Sequence, residues 1–215
     1  MKHDYNAFWE RCWKEDDSTE LYKYLDKYFE MKSKEIEILK EHNIVNICDV
    51  ACGFGAYSLA FASNGFHVQS FDISETAVEI TKKGLERYGI DATNVKVASI
   101  LDTGYADEFF DGVIAHAVLD HLVVDDTKKA LKELFRITKP NGLILVSFDI
   151  AEDDDMNEAH ITLKDGTMQY TCESRKGMLF HPYDWEKINE LLKNFNIVYK
   201  TDKGKREHIV ILKKK

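Results

Sequence analysis

A glycine-rich segment carries the residue pattern best suited to ligand binding. After an apolar run and before a helix-like stretch, the chain reads Ile47-Cys48-Asp49-Val50-Ala51-Cys52-Gly53-Phe54-Gly55. Glycines let a backbone approach a ligand closely, and the following helix points free N–H groups at it. The dinucleotide fingerprint has glycines at offsets one, three and six, which here fall on Ala51, Gly53 and Ala56. Because the third glycine is absent, the spacing disfavours NAD or FAD.

An acidic residue closes the next apolar run. Residues Gly65 to Phe71 read as a strand that ends at Asp72, seventeen positions after Gly55. A carboxylate at that place can accept hydrogen bonds from both ribose hydroxyls of an adenosine lying across the strand ends. The glycine loop and Asp72 together predict a nucleoside site.

Three histidines and two basic residues are candidates for contact with a substrate. His116 and His121 follow the fourth predicted strand, and ligands of such sheets bind outside the carboxyl ends of the strands. We interpret His121 as a catalytic general base or substrate ligand, or else as a packing residue at a helix start. His181 either lines the same cleft or is a solvated helix-start residue. Arg175 and Lys176 either attract an anionic acceptor or are solvated charges.

The elements that must position these residues begin with helices. Residues 1–42 are predicted to be helical, with aromatic side chains along one face of the first helix and a second helix from about Thr19 to Glu41. The side chains of the second helix expected to face inward are Leu21, Leu25, Tyr28 and Phe29.

Short apolar runs alternate with amphipathic stretches over residues 43–149, which predicts crossover units and a doubly wound α/β core with helices on both faces. Residues 150–180 form an insertion with a hairpin around Asp165-Gly166. Residues 181–215 add a helix with Pro182 in its first turn, then an antiparallel strand pair. We therefore expect residues 1–215 to form a single domain.

Composition narrows the classes of function. The chain has 215 residues, with 29 basic and 38 acidic side chains and a net charge of −9. This balance argues against a nucleic-acid partner, whose binding depends on Lys and Arg. No apolar run approaches the roughly 18 residues of a membrane-spanning helix and no leader-like segment opens the chain, so we expect a cytoplasmic protein without a membrane partner. The four cysteines lack zinc-like spacing, which predicts structural thiols and no bound metal.

With these motifs the sequence resembles the class I S-adenosylmethionine-dependent methyltransferases, which have a Rossmann-like fold. Asp49 to Gly55 matches their acidic residue followed by glycines at alternate positions, apart from Ala51. Further matches follow in order: Phe71-Asp72-Ile73-Ser74, Phe110 to Ala115, Ala117 to Leu122 and Leu134 to Leu143. The resemblance implies a mostly parallel seven-stranded sheet with an antiparallel last strand, an N-terminal helical lid and a small hairpin insertion.

The resemblance also implies the cofactor, S-adenosylmethionine, and the residues that hold it. It assigns the methionine end to Asp49, Ala51 and Gly53, close helix approach to Gly55, the ribose to Asp72, adenine packing to Ile73, and a backbone contact with the amino group to His116. For the adenine amine the register stays open between Ser99 with Ile100, which we favour, and Asp102.

The N-terminal aromatic residues have two interpretations. Tyr5, Trp9 and Trp13 either cover the cofactor as a lid, because aromatic faces suit a sulfonium as they suit other cations, or form the core face of an amphipathic helix.

The function implied by the resemblance is methyl transfer to a small-molecule substrate. A sulfonium methyl is already activated, so transfer is an in-line displacement for which the protein supplies alignment, exclusion of water and, where needed, a base. The paired tryptophans and the hairpin make the chain similar to tellurite-resistance and thiopurine-type methyltransferases. Two alternatives stay open: a cofactor-binding module without transferase activity, and an NAD-dependent oxidoreductase, which the glycine spacing disfavours.

Overall fold

The computed structural model describes residues 3–16 and 18–215. Met1, Lys2 and Asp17, which belong to the N-terminal segment predicted to be helical and without a leader, lie outside the described residues. Within the described ranges, no helix is long and apolar enough to cross a membrane.

A seven-stranded sheet forms the centre of the molecule. Its first five strands are β1 Asn46–Val50, β2 His67–Asp72, β3 Val95–Val97, β4 Phe110–Ala115 and β5 Thr138–Asp149. A separate small antiparallel sheet follows, made of β6 His160–Thr162, β7 Met168–Tyr170 and β8 Leu179–Phe180. The chain then completes the main sheet with β9 Asn196–Lys203 and β10 Glu207–Lys213.

The strand order in the main sheet is β3-β2-β1-β4-β5-β10-β9. Strand β1 pairs in parallel with β2 and β4, whereas β10 runs antiparallel to both β5 and β9. The predicted fold class, a doubly wound and mostly parallel seven-stranded α/β sheet, is therefore confirmed. Because β1 lies between β2 and β4, the loops that leave these three parallel strands meet at one edge of the sheet.

Helices pack around this sheet. The described part of the chain forms α1 Tyr5–Glu15, α2 Ser18–Leu25, α3 Lys34–Glu41, α4 Ala56–Ser63, α5 Glu75–Arg87, α6 Val124–Ile137, α7 Asp153–Asn157 and α8 Trp185–Leu191, with one short 3-10 helix at Leu119–His121.

The central strands are buried on both faces. In β4, Val113 packs into one apolar cluster and Ile114 into another, and Val146 and Leu145 of β5 divide in the same way. Two buried faces are typical of parallel strands covered by helices on each side. Polar side chains are consequently concentrated at the strand ends, where ligands bind.

The predicted second helix is broken in two. Instead of one helix from Thr19 to Glu41, α2 and α3 are separated by residues 26–33. The hydroxyl of Ser33 accepts a hydrogen bond from the backbone N–H of Ile36 at 3.3 Å and so starts α3 as a new helix. Phe29, expected to face inward, lies in the break and is 42% exposed. The prediction for Phe29 is therefore wrong, whereas Leu25 is buried as expected.

The insertion contains more structure than its sequence indicates. The hairpin around Asp165-Gly166 is present as β6 and β7. The acidic run ahead of the hairpin contains α7, where the carboxylate of Asp155 accepts a hydrogen bond from the backbone N–H of Glu152 at 2.9 Å. Strand β8 extends the hairpin to three strands. It has only two residues, which is too few to show the alternation of apolar and polar residues that predicts a strand.

The last helix begins later than predicted. Pro182 lies ahead of α8 rather than in its first turn. Asp184 sets the start, because its side chain accepts a hydrogen bond from the backbone N–H of Lys187 at 2.8 Å.

Candidate active site

A cleft opens at the carboxyl ends of β1, β2 and β4. With α1 lying over it, the cleft has a cavity volume of about 100 Å³. Its lining comes from α1, from the end of β2 and from the segments that follow β1, β2, β3 and β4: Tyr5, Trp9, Trp13, Ala51, Gly53, Phe71, Asp72, Ile73, Ala98, Ser99, Ile100, Leu101, Ala117, Val118, His121 and Leu122. The structure thus brings together all the residues predicted to bind the cofactor or to act in catalysis except Asp49, Gly55 and His116.

The loop between β1 and α4 forms one wall of the cleft. Ala51 and Gly53 both have φ of 55°, in the left-handed region. A Cβ atom at Gly53 would stand 2.9 Å from Cζ2 of Trp13, so glycine is what allows α1 to close on this loop. Gly55 has φ of 85°, and a Cβ atom there would stand 2.9 Å from Cγ2 of Thr81 in α5. Gly55 therefore serves the approach of two helices, as the resemblance implies, and not the cleft wall.

Asp72 lies at the end of β2 and is only 4% exposed. Its Oδ2 accepts a hydrogen bond from the backbone N–H of Gly53 at 3.0 Å, and its Oδ1 accepts one from the backbone N–H of Ser74 at 2.9 Å. Burial raises the pKa of Asp72, and these backbone hydrogen bonds oppose the shift. A carboxylate has about four acceptor positions, so each oxygen keeps capacity for a ligand hydroxyl.

Asp49 takes part in a buried network instead of the cleft lining. Its Oδ2 accepts a hydrogen bond from the Ser58 hydroxyl at 2.5 Å, and that hydroxyl lies 2.8 Å from the hydroxyl of Ser70. Burial raises the pKa of Asp49 to about 6, although the Ser58 hydrogen bond opposes the shift. The side chain joins β1 to α4 and β2, and its prediction as a direct cofactor contact has no counterpart in the cleft wall.

The open question of the adenine contact concerns the loop after β3. Ser99 and Ile100 both line the cleft, together with Ile73 after β2. Asp102 is exposed and does not line it. The arrangement agrees with the favoured register and leaves Asp102 without a place in the site.

Helix α1 lies across the cleft and is tied down at both sides. The Tyr5 hydroxyl donates to Oδ2 of Asp126 in α6 at 2.7 Å. The Arg11 guanidinium donates to the carbonyl of Lys176, in the insertion, at 2.7 Å. These contacts hold α1 against two separate parts of the protein.

Glu10 makes the third attachment of α1. Its carboxylate accepts hydrogen bonds from the Ser74 hydroxyl at 2.6 Å, from the Thr76 hydroxyl at 2.7 Å and from the Thr76 backbone N–H at 3.2 Å. The hydrogen bonds from Ser74 and Thr76 hold the pKa of Glu10 at about 2. A negative charge at the N-terminus of α5 is also favoured by the helix dipole.

The aromatic side chains of α1 divide between the two interpretations. Tyr5, Trp9 and Trp13 line the cleft, whereas Phe8 is the buried member of the helix. The Trp9 ring stands edge-on to the imidazole of His121, with centroids 4.9 Å apart. The cleft-facing rings are placed to cover a ligand, and Phe8 supplies the packing.

His121 lies in the 3-10 helix after β4 and is 8% exposed. Its Nδ1 is 2.9 Å from the carbonyl oxygen of Leu179. Because a carbonyl oxygen only accepts, Nδ1 carries the proton of the neutral ring and Nε2 carries the lone pair. The imidazole is thus held in one tautomer beside the cleft.

His116 points away from the cleft. Its Nε2 lies 2.6 Å from Oε2 of Glu207, and its ring lies 4.1 Å from the ring of Tyr57. Burial raises the pKa of Glu207, but the hydrogen bond and charge of His116 outweigh it, so the pKa is lowered overall. The next residue, Ala117, lines the cleft with φ of 47°. A backbone role for this segment is consistent with that geometry; a side-chain contact is not.

The remaining candidates lie outside the cleft. His181 is 5% exposed and 3.1 Å from the Thr167 hydroxyl, so the expectation of a solvated residue is wrong. Arg175 is bound to Asp155 at 2.6 Å and is not free for an anionic acceptor.

Several functional groups near the cleft were not predicted. Burial and the neighbouring charge of Asp120 raise the pKa of Asp149, at the end of β5. Asp149 could have been predicted by treating every acidic residue at a strand end as a candidate. Asp120 lies within the matched segment Ala117 to Leu122. Glu10 and Glu207 carry no local signal, because each depends on a partner far away in sequence.

The fold is that of a doubly wound α/β protein with a cleft at the carboxyl ends of its parallel strands. Residues 48–146 match the family described as methyltransferase domain. The chain is similar to a demethylmenaquinone methyltransferase of Clavibacter sepedonicus, with 35% identity over 46% of this chain and 39% of that protein. It is also similar to a tRNA carboxymethyluridine methyltransferase of Arabidopsis thaliana, with 37% identity over 51% of this chain and 25% of that protein.

A solved S-adenosylmethionine-dependent methyltransferase from Clostridium acetobutylicum shares the fold, with a TM-score of 0.66 at 15% identity over 94% of this chain and 93% of its own. Residues 48–146 are therefore similar to a methyltransferase domain, and the chain has the fold of a solved S-adenosylmethionine-dependent methyltransferase. It spans 40% and 57% of the length of two curated relatives, from Haemophilus influenzae and Rickettsia prowazekii.

The cleft lining offers a carboxylate, backbone groups and aromatic rings to a ligand. Asp72 keeps acceptor capacity for ribose hydroxyls, and the left-handed backbone at Gly53 lies against the ring of Trp13. The rings of Tyr5, Trp9 and Trp13 offer faces to a sulfonium.

The buried charge of Asp49 predicts a pH-dependent stability. Its folded pKa of about 6 exceeds the ordinary value of 3.8, so the contribution of Asp49 to stability is fully present below pH 3.8 and is lost as the pH rises through about 6. Asp49→Asn stays neutral, keeps an acceptor for Ser58, and should be more stable than the parent by roughly 3 kcal/mol at pH 8 but by little at pH 4. Urea unfolding at both pH values measures the difference.

Asp111→Asn is a control for which the opposite change in stability is expected. Burial raises the pKa of Asp111, but hydrogen bonds from Lys139 and Asn46 outweigh it, so this carboxylate is favoured when charged. Its substitution should destabilise the protein at pH 8. A gain for Asp49→Asn that is equal at pH 4 and pH 8 would contradict the buried-charge explanation.

The attachment of α1 predicts a second effect. Glu10→Gln removes the charge that Ser74 and Thr76 solvate, so α1 should dock less firmly and S-adenosylhomocysteine should bind about three- to tenfold more weakly. Hydrogen exchange should show faster α1 amides and unchanged sheet amides. Glu15→Gln, at the exposed end of the same helix, is the control. Unchanged α1 exchange in Glu10→Gln would show that the helix is held by its apolar face alone.

Proposed function

We propose that this protein transfers the methyl group of S-adenosylmethionine to a small-molecule acceptor by in-line displacement. One observation carries the proposal: a single covered cleft holds both Asp72, after β2, and His121, after β4, with the glycine loop of β1 between them. A cofactor spread along this edge would have its ribose at Asp72 and its methyl group on the His121 side.

In this proposal the predicted site residues have the following roles. The backbone of Ala51 and Gly53 receives the methionine end, Asp72 binds the ribose, Ile73, Ser99 and Ile100 surround adenine, and the segment from His116 to Ala117 offers backbone to the amino group. Asp49 and Gly55 support the loop from behind, and Tyr5 and Trp13 close it from α1. Residues 1–215 act as one unit.

The transfer itself needs little covalent help from the protein. The acceptor atom attacks the methyl carbon as the carbon–sulfur bond breaks, so alignment and exclusion of water are the main contributions. Helix α1 excludes water, and His121, whose Nε2 has a lone pair, activates the acceptor.

The acceptor class rests on charge and on the relatives. One relative is named for demethylmenaquinone and another for tRNA. A net charge of −9 opposes approach to RNA phosphates, so we favour a small molecule. We place the reaction in the cytoplasm, which suits the four free cysteines.

The ribose assignment predicts a loss of cofactor affinity in Asp72→Ala. The substitution removes charge-assisted hydrogen bonds worth about 1.5–3 kcal/mol each, so S-adenosylhomocysteine should bind at least tenfold more weakly by calorimetry. Asp102→Ala, an exposed acid outside the cleft, should bind as the parent does, and NAD should bind neither protein. Unchanged affinity in Asp72→Ala would remove Asp72 from the ribose site.

The activity is tested by turnover. With a panel of hydroxyl, thiol and amine metabolites, at least one acceptor should yield S-adenosylhomocysteine in a one-to-one ratio with methylated product. Unmodified tRNA is the comparison acceptor. Cofactor binding with no turnover would identify a binding module, and transfer to tRNA alone would show that the acceptor class is wrong.

A further inference from the structure

Three potential metal ligands converge beside the cleft. One atom from each of Asp120, His121 and Asp149 lies within 4.8 Å of the others. Asp120 and His121 belong to the 3-10 helix after β4, and Asp149 ends β5, the neighbouring strand. His121 also lines the cleft, so this cluster borders the space where the acceptor must sit.

The carboxylate of Asp120 is only half satisfied. Its Oδ2 accepts a hydrogen bond from the backbone N–H of Asp149 at 2.8 Å. Its Oδ1 is buried and, among the described residues, has no hydrogen-bond partner, and the whole residue is 0% exposed. An unpaired carboxylate oxygen in the interior is costly, and buried charges are normally paired or bound to a metal.

His121 is prepared as a ligand. The contact between its Nδ1 and the carbonyl of Leu179, at 2.9 Å, fixes the tautomer that leaves the Nε2 lone pair free. Metal-bound histidines usually donate their other ring N–H to a backbone carbonyl or carboxylate in this way.

The spacing is close to what one ion requires. Two atoms that are each about 2.1 Å from a common ion stand at most about 4.2 Å apart, so side-chain shifts of a few tenths of an ångström suffice. One imidazole and two carboxylates suit a divalent ion such as Mn²⁺ or Zn²⁺, and three ligands leave coordination positions open.

We propose that Asp120, His121 and Asp149 bind a divalent cation whose open positions take the acceptor's hydroxyl oxygen, which makes the substrate an oxygen acceptor. This inference rests on the proposed methyl transfer. The bound ion would favour loss of the hydroxyl proton to water. The oxygen then forms a bond to the methyl carbon, the carbon–sulfur electrons return to sulfur, and the products are a methyl ether and S-adenosylhomocysteine. His121 thus activates the acceptor as a ligand of the ion.

Ion binding is measurable without any acceptor. Metal-stripped protein titrated with Mn²⁺ and followed by electron paramagnetic resonance should take up one ion per chain saturably. Asp149→Asn and His121→Gln should each bind Mn²⁺ at least tenfold more weakly. Asp149→Asn is less prone to unfold the protein, because Asn is nearly isosteric with Asp and residue 149 is only half-buried. The substitution also leaves unchanged the backbone N–H that Asp149 donates to Asp120. Circular dichroism confirms that each variant folds.

Asp125→Asn is the matched control, because Asp125 is an exposed acid in the first turn of α6. Its Mn²⁺ affinity should stay within twofold of the parent. The proposed site is wrong if the parent shows no saturable Mn²⁺ uptake, or if the parent and Asp149→Asn take up Mn²⁺ equally. Equal uptake would mean that surface acids bind the ion, or that the carboxylates of Asp120 and Asp149 share a proton instead.

Activity separates this proposal from the proposed function. Stripping the metal should abolish transfer to a hydroxyl acceptor, and Mn²⁺ should restore it, with S-adenosylhomocysteine affinity unchanged throughout. Saturable Mn²⁺ binding that Asp149→Asn weakens, together with no turnover on any acceptor, supports the ion site and rejects the methyl transfer. Turnover that resists metal removal rejects the ion's role and leaves the methyl transfer standing.

Discussion

The carboxylate of Asp72 joins the parts of the molecule that make the site. It accepts from the N–H of Gly53, in the loop after β1, and from the N–H of Ser74, at the start of α5. The Ser74 hydroxyl in turn donates to Glu10 of α1. A continuous chain of hydrogen bonds therefore runs from the glycine loop through the second strand to the covering helix. The same carboxylate is the one expected to bind the ribose, so ligand binding and cleft assembly depend on one group.

Sheet architecture explains why polar groups gather where they do. The central strands bury both faces among apolar side chains, so an ionisable side chain is tolerated where a strand ends. Asp72, Asp149 and Glu207 all stand at such positions, because β10 runs antiparallel and starts where β5 ends. Reversing the direction of one strand thus brings Glu207 to the same edge as the acids of the parallel strands, where it pairs with His116.

The sequence was informative where the governing interactions are local. The glycine loop, Asp72 and the alternation of strands and helices were predictable, because spacing along the chain determines them. The sequence did not predict the break between α2 and α3, because the apolar periodicity of a helix continues through residues 26–33. The capping contact at Ser33 nevertheless starts a new helix there. Glu10 was missed for a different reason: its charge looks like any other on an amphipathic helix until Ser74 and Thr76 are brought to it by folding. The prediction of no metal rested on cysteine spacing, which says nothing about Asp120, His121 and Asp149.

The position of α1 has a consequence for the order of events in a catalytic cycle. Three of its side chains wall the cleft, and Trp13 lies against the loop at Gly53. Moving α1 to admit a ligand as long as an adenosylated amino acid would break the contacts of Glu10, Tyr5 and Arg11. For the methyl transfer proposed above, attachments that open together would delay the release of S-adenosylhomocysteine, and lid opening of this kind sets the turnover of many enzymes.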